Sequence, residues 1–156
     1  MAQGSWVPRH VANPSDPASA LTGMDIRITF PGGKRIDAHI GAHTLRTDQP
    51  VAQGGEDSAP APFDLFLASL GTCAGIYVAG FCQARGLSTQ GIELVQHNEF
   101  DPETHLLTSV AMELTLPAEF PEKYLPAVVR AAEGCKVKKT LAAPPPVTVV
   151  AKIAAA

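Results

Sequence analysis

Three cysteines stand at Cys73, Cys82 and Cys135, and their surroundings differ in ways that bear on chemistry. Cys73 lies in "LFLASLGTCAGIYVAGFC", Leu65 to Cys82, a stretch without a charged side chain. Cys135 lies in "EGCKVKKTL", directly after a glycine and beside Lys136, Lys138 and Lys139. The thiolate is the attacking form of cysteine, and nearby positive charge or a helix N-terminus raises its fraction. Two such thiols could serve as the attacking and resolving members of a peroxidase pair, the first oxidised to a sulfenic acid and the second condensing with it. Each also has a plainer reading. Cys73 alone reads as a small buried residue, and the lysine cluster alone reads as a solvated basic turn. His39 and His43 have a spacing that suits metal ligation on a helix, but they bracket Gly41 at a strand end and have no cysteine pair beside them. No metal and no cofactor is expected there.

The uncharged stretch has to be placed before its cysteine can be assigned a role. As a helix it would be roughly 27 Å long, which is marginal for a bilayer. Many of its residues are small, and a lone span would leave the neighbouring amphipathic strands with no core to cover. The expectation is therefore no membrane, and a helix buried on all sides of a globular domain. Helical geometry clusters Phe66, Leu70, Tyr77 and Phe81 near Cys73 and puts Ala68, Thr72, Gly75 and Ala79 on the far side. Cys82 points roughly opposite Cys73 and reads as a core residue.

Before this helix, Met24, Ile26, Ile28 and Phe30 alternate with Asp25, Arg27 and Thr29, which predicts a half-buried strand. "FPGG", Phe30 to Gly33, predicts a type II turn, and Ile36, Ala38 and Ile40 predict the return strand. "AHTLRTDQP" adds a third short strand, and "VAQGGEDSAPAP" reads as a loop. After the helix, "GIELVQHNEF" and "HLLTSVAMELTL" flank the turn "DPET" as a second hairpin, with Val110, Met112, Leu114 and Leu116 on one face. Leu125, Val128, Val129 and Ala132 then have helical spacing up to Gly134, and "VTVVAKI" predicts a last strand. Residues 1–23 read as a flexible tail, of which "GSWVPRH" has the look of a linker, and residues 24–156 as one α+β domain.

Composition narrows the function classes. A chain of 156 residues that is 46% hydrophobic and 17% charged has material for one core. A net charge of −3 gives no footprint for phosphate backbones, so nucleic acid is not expected as a partner. An odd number of cysteines leaves a thiol free, which favours a reducing compartment, and the first residues carry no apolar run of a secretory signal. The expected location is cytoplasmic.

"PFDLFLASLGTC", its continuation "AGIYVAGFCQARGL", and "AAEGCKVKKTL" together resemble the paired signature segments of the OsmC/Ohr family, thiol-dependent peroxidases and their relatives. "GAHTLRTDQPVAQGGEDSAPAPFDLF" resembles a subgroup of that family with a His, an Asp-x-Pro and a Gly-Gly-acid loop before the helix. The resemblance implies an α+β, OsmC-like fold in which strands wrap two central helices in an intertwined homodimer. Small residues on the far face of the Cys73 helix suit close helix approach. It also implies that the Cys73 thiolate attacks the O–O bond of an organic hydroperoxide, becomes a sulfenic acid, and forms a disulfide with Cys135 that an external dithiol reduces. Phe63, Phe66, Leu70 and Tyr77 would line the pocket. Family peroxidases carry a Glu immediately after the signature proline, paired with an Arg from an N-terminal strand; this chain has Phe63 in that place, and Lys136 where a proline usually follows the second cysteine. Arg35 is the candidate for the N-terminal Arg, and Glu56 could supply a carboxylate. Asp64 reads as a partner of the helix dipole. The competing expectation is a non-catalytic member of the same fold that binds a hydrophobic small molecule, with Cys73 only as lining.

Overall fold

Alternation of polar and apolar residues builds the first part of the chain. In the computed structural model, which describes residues 23–153, β1 (Arg27–Gly32), β2 (Arg35–Ile40) and β3 (His43–Thr47) form one antiparallel sheet in the order β1-β2-β3. The tail expected over residues 1–23 lies, apart from Gly23, outside the described residues. Register places Ile28 opposite Ala38 and Ala38 opposite Leu45, so one face is apolar. The other face carries Arg27 opposite His39, His39 opposite Thr44, and Asp37 opposite Arg46.

The first turn differs from the type II turn expected at Phe30–Gly33. Strand β1 runs on to Gly32, which pairs with Arg35, and the register is irregular between Thr29 and Gly32. Pro31 has no N–H to give to a ladder, so it sits in this irregular part of an edge strand. The reversal is the two-residue link Gly33–Lys34, with Gly33 at φ 60°. A positive φ at the first centre is what glycine supplies in such hairpins.

Beyond β3 the loop closes on one carboxylate. Asp48, 1% exposed, accepts from the N–H of Gln49 (2.8 Å), from the N–H of Glu56 and Ser58 (3.1 Å each), and from the Ser58 hydroxyl (2.7 Å). A 3-10 turn at Val51–Gln53 and Gly54 at φ 83° carry the chain round. A Cβ on Gly55 would run into the backbone carbonyl of Gln49. Gly55→Ala is therefore expected to open the loop and lower Tm, because backbone rather than a flexible side chain must move. An unchanged melting curve, with unchanged amide exchange at Glu56 and Ser58, would refute this account.

The second part of the chain, from Phe63 onward, is a separate compact unit. It contains α1 (Pro62–Gln83, its first residue outside the unit), the antiparallel hairpin β4 (Glu93–Phe100) and β5 (Leu107–Thr115), α2 (Leu125–Glu133) and α3 (Lys136–Ala142). The turn between β4 and β5 forms on Asp101, whose Oδ1 accepts from the N–H of Glu103 (3.0 Å) and Thr104 (2.7 Å) and from the Thr104 hydroxyl (2.9 Å). These bonds hold its carboxyl below the usual range. Val78, Phe81 and Cys82 of α1 pack with Phe120 and with Val128 of α2 as the core. Gly71 lets β4 approach, since a Cβ there would lie 2.8 Å from Gln96 Oε1. Gln96 Nε2 in turn donates to the Leu67 carbonyl at 3.1 Å.

Two expectations are corrected here. Helix α1 is long and apolar enough by length and composition to cross a membrane, and it was expected to be buried on all sides. Only one face is covered, by Leu67, Leu70, Ala74, Val78, Phe81 and Cys82, whereas Ile76 is 71% exposed. A two-stranded sheet and two short helices cannot surround a helix of 22 residues. The last strand, "VTVVAKI", is absent: residues 144–153 form no strand and no ladder, and Val149 is 92% exposed. Period-two sequence makes a strand only when an edge is there to pair with it.

Candidate active site

Where α1 passes the start of α3, two thiols meet. The glycine after α2 makes the approach possible: Gly134 packs under the ring of Tyr77, and a Cβ on it would lie 3.1 Å from the Ala131 carbonyl and 3.5 Å from the Tyr77 ring. The chain then turns at Cys135, which caps α3 and whose Sγ accepts from the Lys138 N–H at 3.5 Å. The Cys135 thiol reaches the Leu70 carbonyl at 4.0 Å. Cys73, one turn further along α1, lies within hydrogen-bonding reach of the Cys135 side chain and of the backbone N–H groups of Val137 and Lys136.

This setting holds the Cys73 thiol below its ordinary pKa. The hydrogen bond from Cys135 is the main cause, followed by the Val137 N–H; partial burial opposes them, and the Lys136 N–H and ammonium charge add to the lowering. The basic turn read beside Cys135 thus acts on Cys73. Cys82 is different: it is fully buried in the core, and burial pushes its thiol up. All three cysteines are free thiols, with Cys73 part-exposed.

A largely apolar cavity of about 470 Å³ adjoins Cys135. Leu70 and Ala74 of α1, Leu94, Val110 and Met112 of the hairpin, and Val129 of α2 form much of its wall, and Cys135 and Lys138 complete one side. The inward face read from the alternation in "HLLTSVAMELTL" is this wall. Of the expected pocket residues, Leu70 is part of it and Tyr77 lies against Gly134. Phe63 and Phe66 are elsewhere, in an aromatic group in which the Phe63 ring is 5.4 Å from Phe66 and 6.3 Å from Phe100. Phe81 belongs to the core around Cys82.

Arg35 and Glu56 lie in the first part of the chain. Arg35 Nε donates to the Gly32 carbonyl at 3.4 Å, and its side chain borders a polar cavity with Asp37 and Arg46. Glu56 is exposed on the loop held by Asp48. His39 is engaged by two hydroxyls, Thr29 at 2.9 Å and Thr44 at 3.1 Å, rather than with His43. Among the described residues no group of three or more His, Cys, Asp or Glu side chains is placed to hold a metal ion. Sequence reasoning did not find the Asp48 clamp or the backbone donors at Val137 and Lys136. The Asp-x-Pro and Gly-Gly-acid pattern was a signal for the first, and backbone donors leave none.

A dithiol held between a long apolar helix and the start of a short basic one, in an α+β domain, defines a class that comparison with known proteins makes specific. The sequence matches the model of the OsmC-like protein family over residues 55–150, and the chain belongs to that family. No curated protein matches it. Among solved structures it is similar to an OsmC-like protein from Mycoplasma pneumoniae, at 12% identity and TM-score 0.63, covering 78% of this chain and 89% of that one. It is also similar to the organic hydroperoxide resistance protein OsmC from Legionella pneumophila, at 19% identity and TM-score 0.55, covering 79% and 91%. At these identities the likeness establishes the fold.

Proposed function

We propose that this chain is a thiol-dependent peroxidase that reduces organic hydroperoxides through a Cys73 sulfenic acid resolved by Cys135. The observation that carries the reading is the lowered Cys73 thiol, hydrogen-bonded to a second free thiol. The Cys73 thiolate attacks one peroxide oxygen, the O–O bond breaks, and the alcohol leaves with a proton. Cys135 then attacks the sulfenic sulfur, water leaves, and a disulfide remains for an external dithiol to reduce. Apolar surroundings favour an organic hydroperoxide over hydrogen peroxide. Arg35 and Glu56 are the proposed groups that orient the peroxide, in place of the carboxylate that Phe63 does not supply. The test is an anaerobic assay of organic hydroperoxide loss with several dithiol donors. Consumption faster than that of hydrogen peroxide is expected, and a wild type that consumes neither would sink the proposal.

The cavity beside Cys135 favours a second reading, a non-catalytic protein that binds a hydrophobic small molecule. A thiol titration separates the two, since a binding module has no use for a thiolate formed at lowered pH.

The proposed working form is a cytoplasmic homodimer. Ile76, at 71% exposure, supports it, because it is a large apolar group on the uncovered face of α1. Light scattering is expected to give twice the chain mass at micromolar concentration. A stable monomer would count against the intertwined arrangement.

A further inference from the structure

Cys135 belongs to a sharp corner between α2 and α3 whose backbone hydrogen bonds are local. The Gly134 N–H donates to the Ala131 carbonyl at 3.0 Å, and the Cys135 N–H to the Ala132 carbonyl at 3.4 Å. On the other side of the corner, the Lys139 N–H donates to the Cys135 carbonyl at 3.1 Å. These bonds shape the corner, but none of them ties it to α1, which carries the other thiol. Two contacts between the corner and α1 flank the thiol pair. One is the Cys135 thiol on the Leu70 carbonyl at 4.0 Å, the long, weak bond of an S–H donor. The other is the ring of Tyr77, which closes on Gly134 so nearly that a Cβ there would lie 3.5 Å from Cδ1 and 3.6 Å from Cε1.

Leu70, Cys73 and Tyr77 follow one another at spacings of three and four residues, so they stand in line on one face of α1. The corner is thus held on either side of Cys73, by a weak bond toward the start of the helix and by an aromatic ring toward its end. We propose that Tyr77 is a positioning residue for the thiol pair, its ring holding Gly134, and through it Cys135, at the distance from Cys73 that the chemistry of the pair needs. The proposal rests on the Cys73–Cys135 pair of the reading above and adds the side chain that keeps the two sulfurs together.

The ring serves neither the core nor the cavity. Tyr77 is 38% exposed, lies outside the core around Cys82, and is not part of the cavity wall. A flat ring against a bare Cα gains dispersion contact over its face, which a side chain at position 134 would prevent.

Distance matters twice for these sulfurs. The Cys135 side chain is the first cause of the lowered Cys73 thiol, and a hydrogen bond is lost when its partners drift out of reach. In the resolving step the Cys135 thiolate attacks the Cys73 sulfur of the sulfenic acid. The S–S bond forms, the S–O bond breaks, and the hydroxide that leaves takes the proton Cys135 gave up and departs as water. A misplacement of about 1 Å can cost such a step about a hundredfold.

Both distances can be read without any peroxide. In the full-length protein, alkylation of Cys73 by iodoacetamide is followed across pH by peptide mapping. Closure of the Cys73–Cys135 disulfide is timed with diamide, which takes up the two electrons and two protons that the thiols release. Tyr77→Ala is expected to move the alkylation profile upward in pH and to slow closure about tenfold. Tyr77→Phe keeps the ring and is expected to match the wild type in both. Tyr77→Leu keeps apolar bulk and helix propensity without a flat face; it is expected to behave as Tyr77→Ala does, and it takes that variant's place if Tyr77→Ala does not fold. A variant without the ring whose Tm falls while either readout stays at the wild-type value gives Tyr77 a merely structural role and overturns the proposal. Loss of wild-type behaviour in Tyr77→Phe overturns it as well, and so does a wild type in which diamide fails to link Cys73 to Cys135. The expected shifts in a protein that consumes no hydroperoxide would sink the peroxidase reading alone.

Discussion

Cys73→Ser is expected to lower organic hydroperoxide turnover by roughly a thousandfold or more, because a serine hydroxyl at this position has neither the thiol's nucleophilicity nor its accessible anion. The other two cysteines should separate cleanly from it. Cys135→Ser keeps the attacking sulfur, so one equivalent of peroxide should be consumed and a sulfenic acid should persist, trappable by a dimedone-type probe. Cys82→Ser should do neither. Its side chain is fully buried among Val78, Phe81, Phe120 and Val128, where burial raises the thiol pKa. The cost of that substitution is expected in stability, since a hydroxyl is left in an apolar core. Equal loss of turnover from Cys82→Ser and Cys73→Ser would mean that the attacking sulfur has been misassigned.

The second large effect is in pH. The folded Cys73 pKa lies below the ordinary thiol value, and the Cys135 hydrogen bond is the first cause. Reaction with an organic hydroperoxide should therefore rise with pH through this lowered value and level off before an ordinary thiol would titrate. Cys135→Ala removes the main cause and is expected to shift the profile of the first oxidation upward; Lys136→Met, which removes only the weakest, should shift it less. Stability follows with a definite sign. The thiolate favours the folded state fully above the unfolded-state pKa, and that contribution is lost as pH falls through the folded value. Stopped-flow measurement of sulfenic acid formation across pH is the check. Superimposable profiles for wild type and Cys135→Ala would show that the second thiol does not tune the first.

The extent to which sequence anticipated this architecture depends on how local each determinant is. The alternation in "HLLTSVAMELTL" identified the wall of the cavity because period two alone decides which side chains share a face. The Cys82 position was legible from helical spacing in the same local way, nine residues at 100° each putting it on the opposite face of α1 from Cys73. The turn after β1 was misread because the proline signal and the glycine signal compete: Pro31 fits a turn, but Gly33 with its positive φ makes one a residue later. "VTVVAKI" was read as a strand on pattern alone, and pattern says nothing about whether a free edge is available. Cys73 and Cys135 were both singled out, but the lysines pointed to the wrong thiol of the pair. Which sulfur benefits from the start of α3 depends on how two distant segments pack, and side-chain type does not encode that. Phe63 was legible only by its place after the signature proline; that its ring meets Phe66 and Phe100 depends on how α1 and β4 pack.

The clamp on Asp48 has a consequence for survival in acid. Its carboxyl, held down mainly by the Ser58 hydroxyl and further by three backbone N–H groups, titrates at about 2 rather than at the ordinary 3.8. Because the folded value is the lower one, the clamp contributes fully above the ordinary carboxyl pKa and is surrendered only as pH falls through about 2. A segment rich in glycine and proline at the surface would ordinarily be an early site of proteolytic nicking. Here the chain between Gln49 and Ser58 should resist pepsin at pH values where exposed carboxylates of ordinary pKa have already lost their charge.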